Sequence, residues 1–212
     1  MAQRLRVPPT KSALLMLRRQ VDFLEEGYNL LDRKRELLTR LVYERLSRYR
    51  ELRRQVEAGL KEAYDWLGIT HMRMGSRMLQ QAGLALNPAV TVKILPRSNL
   101  GVQYPSVTVE RLALQPVSLL WSDSSFDEAR MHLADVAALL AQLGESEMAL
   151  RRVLQEQRKT QKRVNALKYN VIPRYRETIR HIEAALEEEE RNTLFQIKVL
   201  SKAKDRAAAA GR

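Results

Sequence analysis

Residues 14–56 read LLMLRRQVDFLEEGYNLLDRKRELLTRLVYERLSRYRELRRQV, and their apolar residues recur at alternating steps of three and four. This spacing over six heptads is typical of a left-handed coiled coil rather than of a half-buried helix. Two arginines, Arg35 and Arg45, stand where the repeat expects apolar side chains. The repeating positions are Leu14, Leu17, Val21, Leu24, Tyr28, Leu31, Arg35, Leu38, Val42, Arg45, Tyr49, Leu52 and Val56.

The first helix is predicted to begin near Thr10 or Ser12, because either side chain can cap the exposed N–H groups. No proline interrupts the chain between Pro9 and Pro88, so one helix can run from Ser12 to Trp66, roughly 80 Å at 1.5 Å per residue. A helix of this length with one apolar side requires a partner helix of similar length. A second series follows the capping cluster at residues 122–125. Its positions are Phe126, Ala129, Leu133, Val136, Leu140, Leu143, Leu150, Leu154, Val164, Leu167, Val171, Tyr175, Ile179, Ile182, Leu186, Ile197 and Leu200.

The second series has one irregularity, where its steps between Leu167 and Ile179 become four, four and four. Pro173 lies inside this stretch. A proline inside a helix removes one hydrogen bond, here to the carbonyl of Tyr169, at a cost of about 3 kcal/mol. We therefore predict a bend or local unwinding at Pro173.

The middle of the chain has another character, since residues 90–95, 101–104 and 107–109 are rich in β-branched side chains and are bounded by Pro and Gly. They predict a short hairpin with its turn near residues 97–99. The fold class expected is all-α: a long antiparallel coiled coil of two helices, joined by a short helix and a β-hairpin. The expected segments are an N-terminal helix at 1–67, a middle segment at 68–121 and a C-terminal helix at 122–212.

The composition favours long helices, with 29% charged and 6% aromatic residues. A net charge of +12 favours an acidic partner, although a basic, solvated rod accounts for it equally well. With no cysteine, disulfides and thiolate chemistry are excluded. The N-terminus does not resemble a signal peptide. The longest charge-free stretch, residues 78–92, falls short of the roughly 20 apolar residues that a membrane span needs.

No catalytic, metal-binding or cofactor-binding residues are predicted. The glycines form no phosphate-binding loop, and His71, His132 and His181 lack metal-ligand spacing. The acidic run at residues 187–190 points around a helix and cannot converge on one site. A basic scaffold or nucleic-acid-associated coiled coil remains the alternative. Its basic residues, however, interleave with glutamates. They are Arg33, Lys34, Arg35, Arg48, Arg50, Arg53, Arg54, Lys198, Lys202, Lys204 and Arg206.

Residues 160–204 carry the run RVNAL at 163–167, followed by Ile172 and Pro173, and then by a helical series that ends near Lys198. This segment closely resembles the C-terminal helix of the D subunits, which form the central rotor shaft of V-type and A-type ATPases. The stretch at 9–38 is similar to the same family. The stretch NLGVQYP at 99–105 is similar to the family's Asn-x-x-Gly-Val-x-x-Pro motif with one residue missing.

The resemblance implies a non-catalytic subunit that couples ATP hydrolysis or synthesis to H⁺ or Na⁺ translocation. It implies paired chain ends inside a hexamer of alternating A and B subunits. The middle region would contact the small F subunit of the rotor and the funnel-shaped subunit (C/d) on the membrane ring. The location would be cytoplasmic and peripheral, with no nucleic acid and no membrane insertion. We expect a cavity-facing surface mainly of Arg, Lys, Gln and Glu, to which Arg18, Arg19, Lys198 and Lys202 contribute.

Overall fold

A computed structural model describes residues 5–115 and 122–210, with backbone only for 203–210. The predicted boundary at 121/122, Pro116, and the side chains of Lys204 and Arg206 lie outside the described part. The elements are helix α1 (Lys11–Leu84), strands β1 (Val90–Asn99) and β2 (Val102–Arg111), helix α2 (Ser124–Ala166), a π-helix (Leu167–Val171) and helix α3 (Ile172–Ala210). The all-α fold with a small hairpin is confirmed.

The chain forms two compact units, and α1 contributes to both. The first unit contains Met1–Arg35 and Lys159–Arg212, and the second contains Glu36–Arg158. The three sequence segments proposed above divide the chain in another way and remain predictions.

In the first unit, the start of α1 packs antiparallel against α3. Thr10 caps α1, because its Oγ1 accepts the N–H of Ala13 at 3.2 Å. Three ion pairs join the helices, each seven residues further along α1 and seven further back along α3. The buried side chains of the first unit, on α1, the end of α2 and α3, are apolar apart from two threonines. They are Leu17, Val21, Thr160, Val164, Ile172, Thr178 and Ile182. The ion pairs are Lys11–Glu190, Arg18–Glu183 and Glu25–Arg176.

In the second unit, the remainder of α1 packs against α2. The buried Thr70 donates its hydroxyl to the carbonyls of Trp66 and Ser125. Three turns earlier, Gly59 permits a close approach, because an added Cβ would lie 3.2 Å from Val136 Cγ2. As α1 advances from 59 to 70, its neighbours on α2 retreat from 136 to 125, so this pair is also antiparallel.

The seam predicted along α2 is wrong at Leu133 and Leu140, which are 39% and 45% exposed. The face turned towards α1 instead carries small and polar residues among the apolar ones. Small and polar side chains fit between closely packed helices. A search of the sequence for apolar residues alone does not find them. That face comprises Ala129, His132, Val136, Leu139, Leu143, Ser146, Leu150, Val153, Gln157 and Thr160, all buried or half-buried at steps of three and four.

Helix α1 is interrupted at Gly75, which has φ 75° and ψ 160°. Only glycine adopts this backbone conformation readily, because a side chain would clash with the backbone. The segment after Gly75 is a short helical stretch that ends at Leu84.

The hairpin turn lies at Leu100 and Gly101, so its prediction near residues 97–99 is wrong. Both turn residues have positive φ, 51° and 77°, as a two-residue hairpin loop of this kind requires. Prolines usually lie at the ends or edges of strands, which is why the local sequence predicts the turn too early. In fact Pro96 lies opposite Pro105 within the ladder. Counting outward from the turn, that pair is not hydrogen-bonded, so the missing N–H groups cost the ladder nothing.

The hairpin packs through β2. Val102 joins Leu38, Leu41 and Val153 in one buried apolar cluster. Further along the strand, the N–H of Val107 donates to a carboxylate oxygen of Glu145 at 3.0 Å. Arg111 pairs with Asp135. Strand β2 therefore lies along α2, whereas β1 is exposed from Thr91 to Asn99.

The π-helix Leu167–Val171 lies directly before Pro173, in the stretch where local unwinding was expected. At its end, the N–H of Ile172 donates to the carbonyl of Leu167, five residues earlier. A π-helical turn inserts one extra residue into an α-helix. That insertion accommodates the run of four-residue steps in the sequence.

Candidate functional site: interaction surfaces

Among the described residues, no three His, Cys, Asp or Glu side chains come together in a way that could hold a metal ion. No described helix is long and apolar enough to cross a membrane.

Thirteen residues of the predicted seam, the candidate site residues, are buried or half-buried. In the first unit they lie on the start of α1, the end of α2, the π-helix and α3, and in the second they lie near the hairpin. They are Leu17, Val21, Leu24, Tyr28, Leu31, Val164, Leu167, Val171, Ile179, Ile182 and Leu186, with Leu38 and Val42 in the second unit.

Both arginines in the heptad series have partners within the chain. Arg35 pairs with Asp32 on the same helix at 3.0 Å. Arg45 donates to the hydroxyl of Tyr104 at 2.9 Å, and its guanidinium carbon lies 5.0 Å from the centre of that ring. Tyr104 is buried and belongs to β2. Arg45 therefore breaks the apolar series because it anchors the hairpin, which its local sequence does not reveal.

Near the chain termini, residues 5–10 form a strap along α3. The N–H of Leu5 donates to Thr178 Oγ1 at 3.1 Å, and Thr178 donates to the carbonyl of Arg174. The strap ends where Lys11 pairs with Glu190 at 2.8 Å. The hydrogen bond and the opposite charge raise the pKa of Lys11 and lower the pKa of Glu190. This strap was not predicted from the sequence.

Beyond the Lys11–Glu190 pair, α3 continues to Ala210, a further stretch of about 30 Å at 1.5 Å per residue. We call residues 191–202 the overhang. Every side chain of the overhang is exposed. Five large apolar ones are 49–70% exposed: Leu194, Phe195, Ile197, Val199 and Leu200. Ile197 and Leu200 were predicted in the seam, and that prediction is wrong because α1 begins too late in the chain to cover them.

The four predicted cationic contacts have different surroundings. Arg18 is engaged by Glu183 of the same unit. Arg19 is exposed and lines a groove on α1. Lys198 and Lys202 are exposed on the overhang, and their spacing of four puts them on one side of the helix. The structure thus brings two of the four together, and the overhang around them is more apolar than the expected polar surface.

The fold and these surfaces define an antiparallel coiled-coil protein with a packed β-hairpin. The family model for the ATP synthase D subunit matches residues 13–202. The D subunit of the A-type ATP synthase of Pyrococcus furiosus is 32% identical over 202 residues, covering 93% of this chain and 94% of the relative. The D subunit of the V-type ATP synthase of Thermotoga neapolitana is 30% identical over 195 residues, covering 92% and 96%.

The D subunit of the A-type ATP synthase of Methanosphaera stadtmanae is similar as well, at 31% identity over 200 residues, with 92% and 94% covered. The chain belongs to the family of ATP synthase D subunits. The resemblance found in the RVNAL run and its surroundings is confirmed.

Proposed function

We propose that this chain is the central rotor shaft of a V/A-type rotary ATPase. In this role it couples ATP hydrolysis or synthesis in a hexamer of A and B subunits to ion translocation across the membrane. The overhang is the observation that carries the proposal. Membership of the family indicates the kind of enzyme complex. The exposed apolar side chains of the overhang are the reason to place this last part of α3 inside a cavity of that complex.

The overhang exposes large apolar side chains on several sides. At about 100° per residue, its five large apolar side chains spread around the helix, while Arg191, Lys198 and Lys202 share one basic side. A helix that exposes large apolar side chains on several sides is stabilised in water when other protein surrounds it. A flat docking surface would leave much of this apolar side-chain area exposed to water. A ring of subunits around the helix would cover it.

The coiled coil supports torque in physical terms. Two packed helices are stiff and lack threefold symmetry, so they present a different side to each of three catalytic subunit pairs at once. The exposed charges of the first unit make individually weak contacts, worth roughly 0–1 kcal/mol each, which release easily. The overhang is a single helix, so its side chains lie within about 6 Å of the helix axis, and rotation about that axis would move them little.

The middle of the chain would serve the other partners. Strand β1 exposes Ile94 (65%) and Leu95 (64%), and its outer edge is unpaired in the described chain. Exposed strand edges and apolar side chains are typical of contact surfaces. We assign this region to contact with the small F subunit of the rotor and with the funnel-shaped subunit (C/d) that seats the shaft on the membrane ring. The complex would place the chain on the cytoplasmic side, peripheral to the membrane.

Affinity purification of the tagged full-length chain from its own organism, at moderate salt, tests the proposal. Recovery of two large ATPase subunits together with ATP hydrolysis supports it. Nuclease-sensitive nucleic acid as the main co-purifying species, with no ATPase subunits, would instead support the nucleic-acid-associated alternative. A variant in which the five large apolar residues of the overhang are each changed to glutamine should no longer recover the large ATPase subunits, while its helical content is unchanged.

A further inference from the structure

Helix α1 carries a second line of apolar side chains outside its buried seam. Met16, Phe23 and Leu30 follow one another at steps of seven and are 62%, 74% and 67% exposed. Each immediately precedes a seam residue, so the line runs beside the seam on the same helix. We call these three residues the outer stripe. A large apolar residue at the same exposed position of three consecutive heptads is the pattern against which a second helix packs.

The paired part of α3 has no such feature. Between residues 172 and 193, no large apolar side chain of α3 is among the exposed ones in the described chain. Apart from Ala184, its exposed positions are charged or polar, Arg180 and Glu187 among them. The first unit therefore has one side that is apolar and another that is hydrophilic.

Charge adjoins the outer stripe. Arg19 lies one turn after Met16 and lines a groove of about 540 Å³ together with Leu15, Met16 and Phe23. Arg33 lies one turn after Leu30. Both arginines are exposed, and neither has a carboxylate partner among the described residues. A molecule that covers the stripe would therefore find two cations ready for acidic side chains.

We propose that the outer stripe docks one amphipathic helix of the surrounding ATPase head at a time, with apolar residues at heptad spacing against Met16, Phe23 and Leu30 and carboxylates against Arg19 and Arg33. The inference rests on the proposed function, because the partner belongs to the enclosing complex. It adds which side of the shaft is gripped and by what kind of element.

The size of the stripe fits a contact that is repeatedly made and released. Three partly exposed side chains offer on the order of 300 Å² of apolar surface. A stable interface buries roughly 800 Å² per partner, so a second copy of this chain would not be held by the stripe alone. Because α3 offers no equivalent, only one of the surrounding subunits can be gripped in this way at each rotor angle.

Photocrosslinking in the assembled complex tests the inference. A benzoylphenylalanine is placed at Phe23, with a matched control at Arg180 on the hydrophilic side. We expect position 23 to give several-fold more adduct with a helix of one large head subunit than position 180 gives. Equal yields, or an adduct with a second copy of this chain, would overturn the proposal.

A binding measurement complements the crosslink. The full-length variant Met16→Gln/Phe23→Gln/Leu30→Gln should dissociate from the head about tenfold faster, equivalent to 1.4 kcal/mol. The control variant Tyr64→Gln/Tyr169→Gln alters residues that are also exposed, 63% and 70%, and lie off the stripe. It should dissociate like the unaltered chain. If the unaltered chain binds and the stripe variant dissociates at the same rate, the stripe inference alone fails. If the unaltered chain does not bind, the proposed function fails.

Discussion

Single residues decide how closely the helices approach. Gly27 and Gly59 both lie inside α1, yet an added Cβ meets nothing within 4 Å at Gly27 and lies 3.2 Å from Val136 at Gly59. Glycine inside a helix costs roughly 0.5–1 kcal/mol relative to alanine. One glycine thus carries that cost with no packing reason, and the other carries it in exchange for a close helix contact.

The glycine pair gives a matched prediction. Gly27→Ala should raise the free energy of unfolding by roughly 0.5–1 kcal/mol, since it adds helix propensity and no clash. Gly59→Ala should gain less or lose stability, because Val136 must move. Thermal unfolding followed by circular dichroism distinguishes the two. Equal stabilisation by both substitutions would show that the α1–α2 contact adjusts to the added methyl group with no loss in the free energy of unfolding.

Asp123 gives a prediction about pH. The hydroxyl of Ser125 and the guanidinium of Arg73, the latter at 3.0 Å, lower the pKa of its carboxyl. A lowered folded pKa contributes stability above the ordinary Asp pKa, and this is lost as pH falls through the folded value. Carboxyl NMR titration should show the Asp123 pKa rise in Ser125→Ala, and rise less in Arg73→Ala. An unchanged value in both would refute the assignment.

At the scale of helices, the inter-helix ion pairs specify register. Lys11 and Arg18 on α1 face glutamates, whereas Glu25 faces Arg176, so the third pair has the opposite polarity. A shift by one heptad in one direction would bring Arg18 against Arg176. A shift in the other would bring Glu25 against Glu183. Either shift sets like charges together, so the reversed pair disfavours wrong registers.

A charge swap tests this role. Glu25→Arg should destabilise the first unit by a few tenths of a kcal/mol to about 1 kcal/mol, because the pair is partly exposed and like charges then meet. The double variant Glu25→Arg/Arg176→Glu should recover most of that loss. Thermal unfolding of both variants gives the coupling. No recovery in the double variant would mean that the pair has no role in register.

The π-helix gives a prediction at the same scale. Pro173→Ala supplies an N–H that can reach the carbonyl of Tyr169, so the α-helical pattern can extend through the irregular turn. We expect slower amide hydrogen exchange over residues 167–173 and altered coupling of ATP hydrolysis to ion transport. Arg180→Ala, on the same helix, is the control. Unchanged exchange and coupling would mean that the irregularity has no functional role.

At the scale of the whole molecule, the relative weight of charge and apolar area can be measured. Changing Arg19, Lys198 and Lys202 together to alanine removes exposed charges of small individual worth. Changing Phe195 and Leu200 to glutamine removes two apolar side chains that are 68% and 70% exposed. We expect the apolar variant to recover less of the large ATPase subunits than the charge variant. The reverse order would favour the polar cavity surface expected from the sequence.

Local patterns in the chain were enough to specify several of its elements. The heptads gave the two long helices, Thr10 gave the start of α1, and the RVNAL run gave the family. A buried stripe repeats at helical spacing whatever its partner is, so it can be recognised from one chain segment alone. The β-branched middle gave a hairpin for the same reason.

Other features depend on distant neighbours, and they become visible only in the folded chain. His132 and Ser146 belong to the α2 seam because α1 covers that face, and Leu133 and Leu140 do not. Arg45 interrupts the heptads because Tyr104, 59 residues away, receives its hydrogen bond. The overhang is bare because α1 begins opposite Glu190. Burial is a property of two surfaces in contact, and a residue's own sequence neighbourhood describes only one of them.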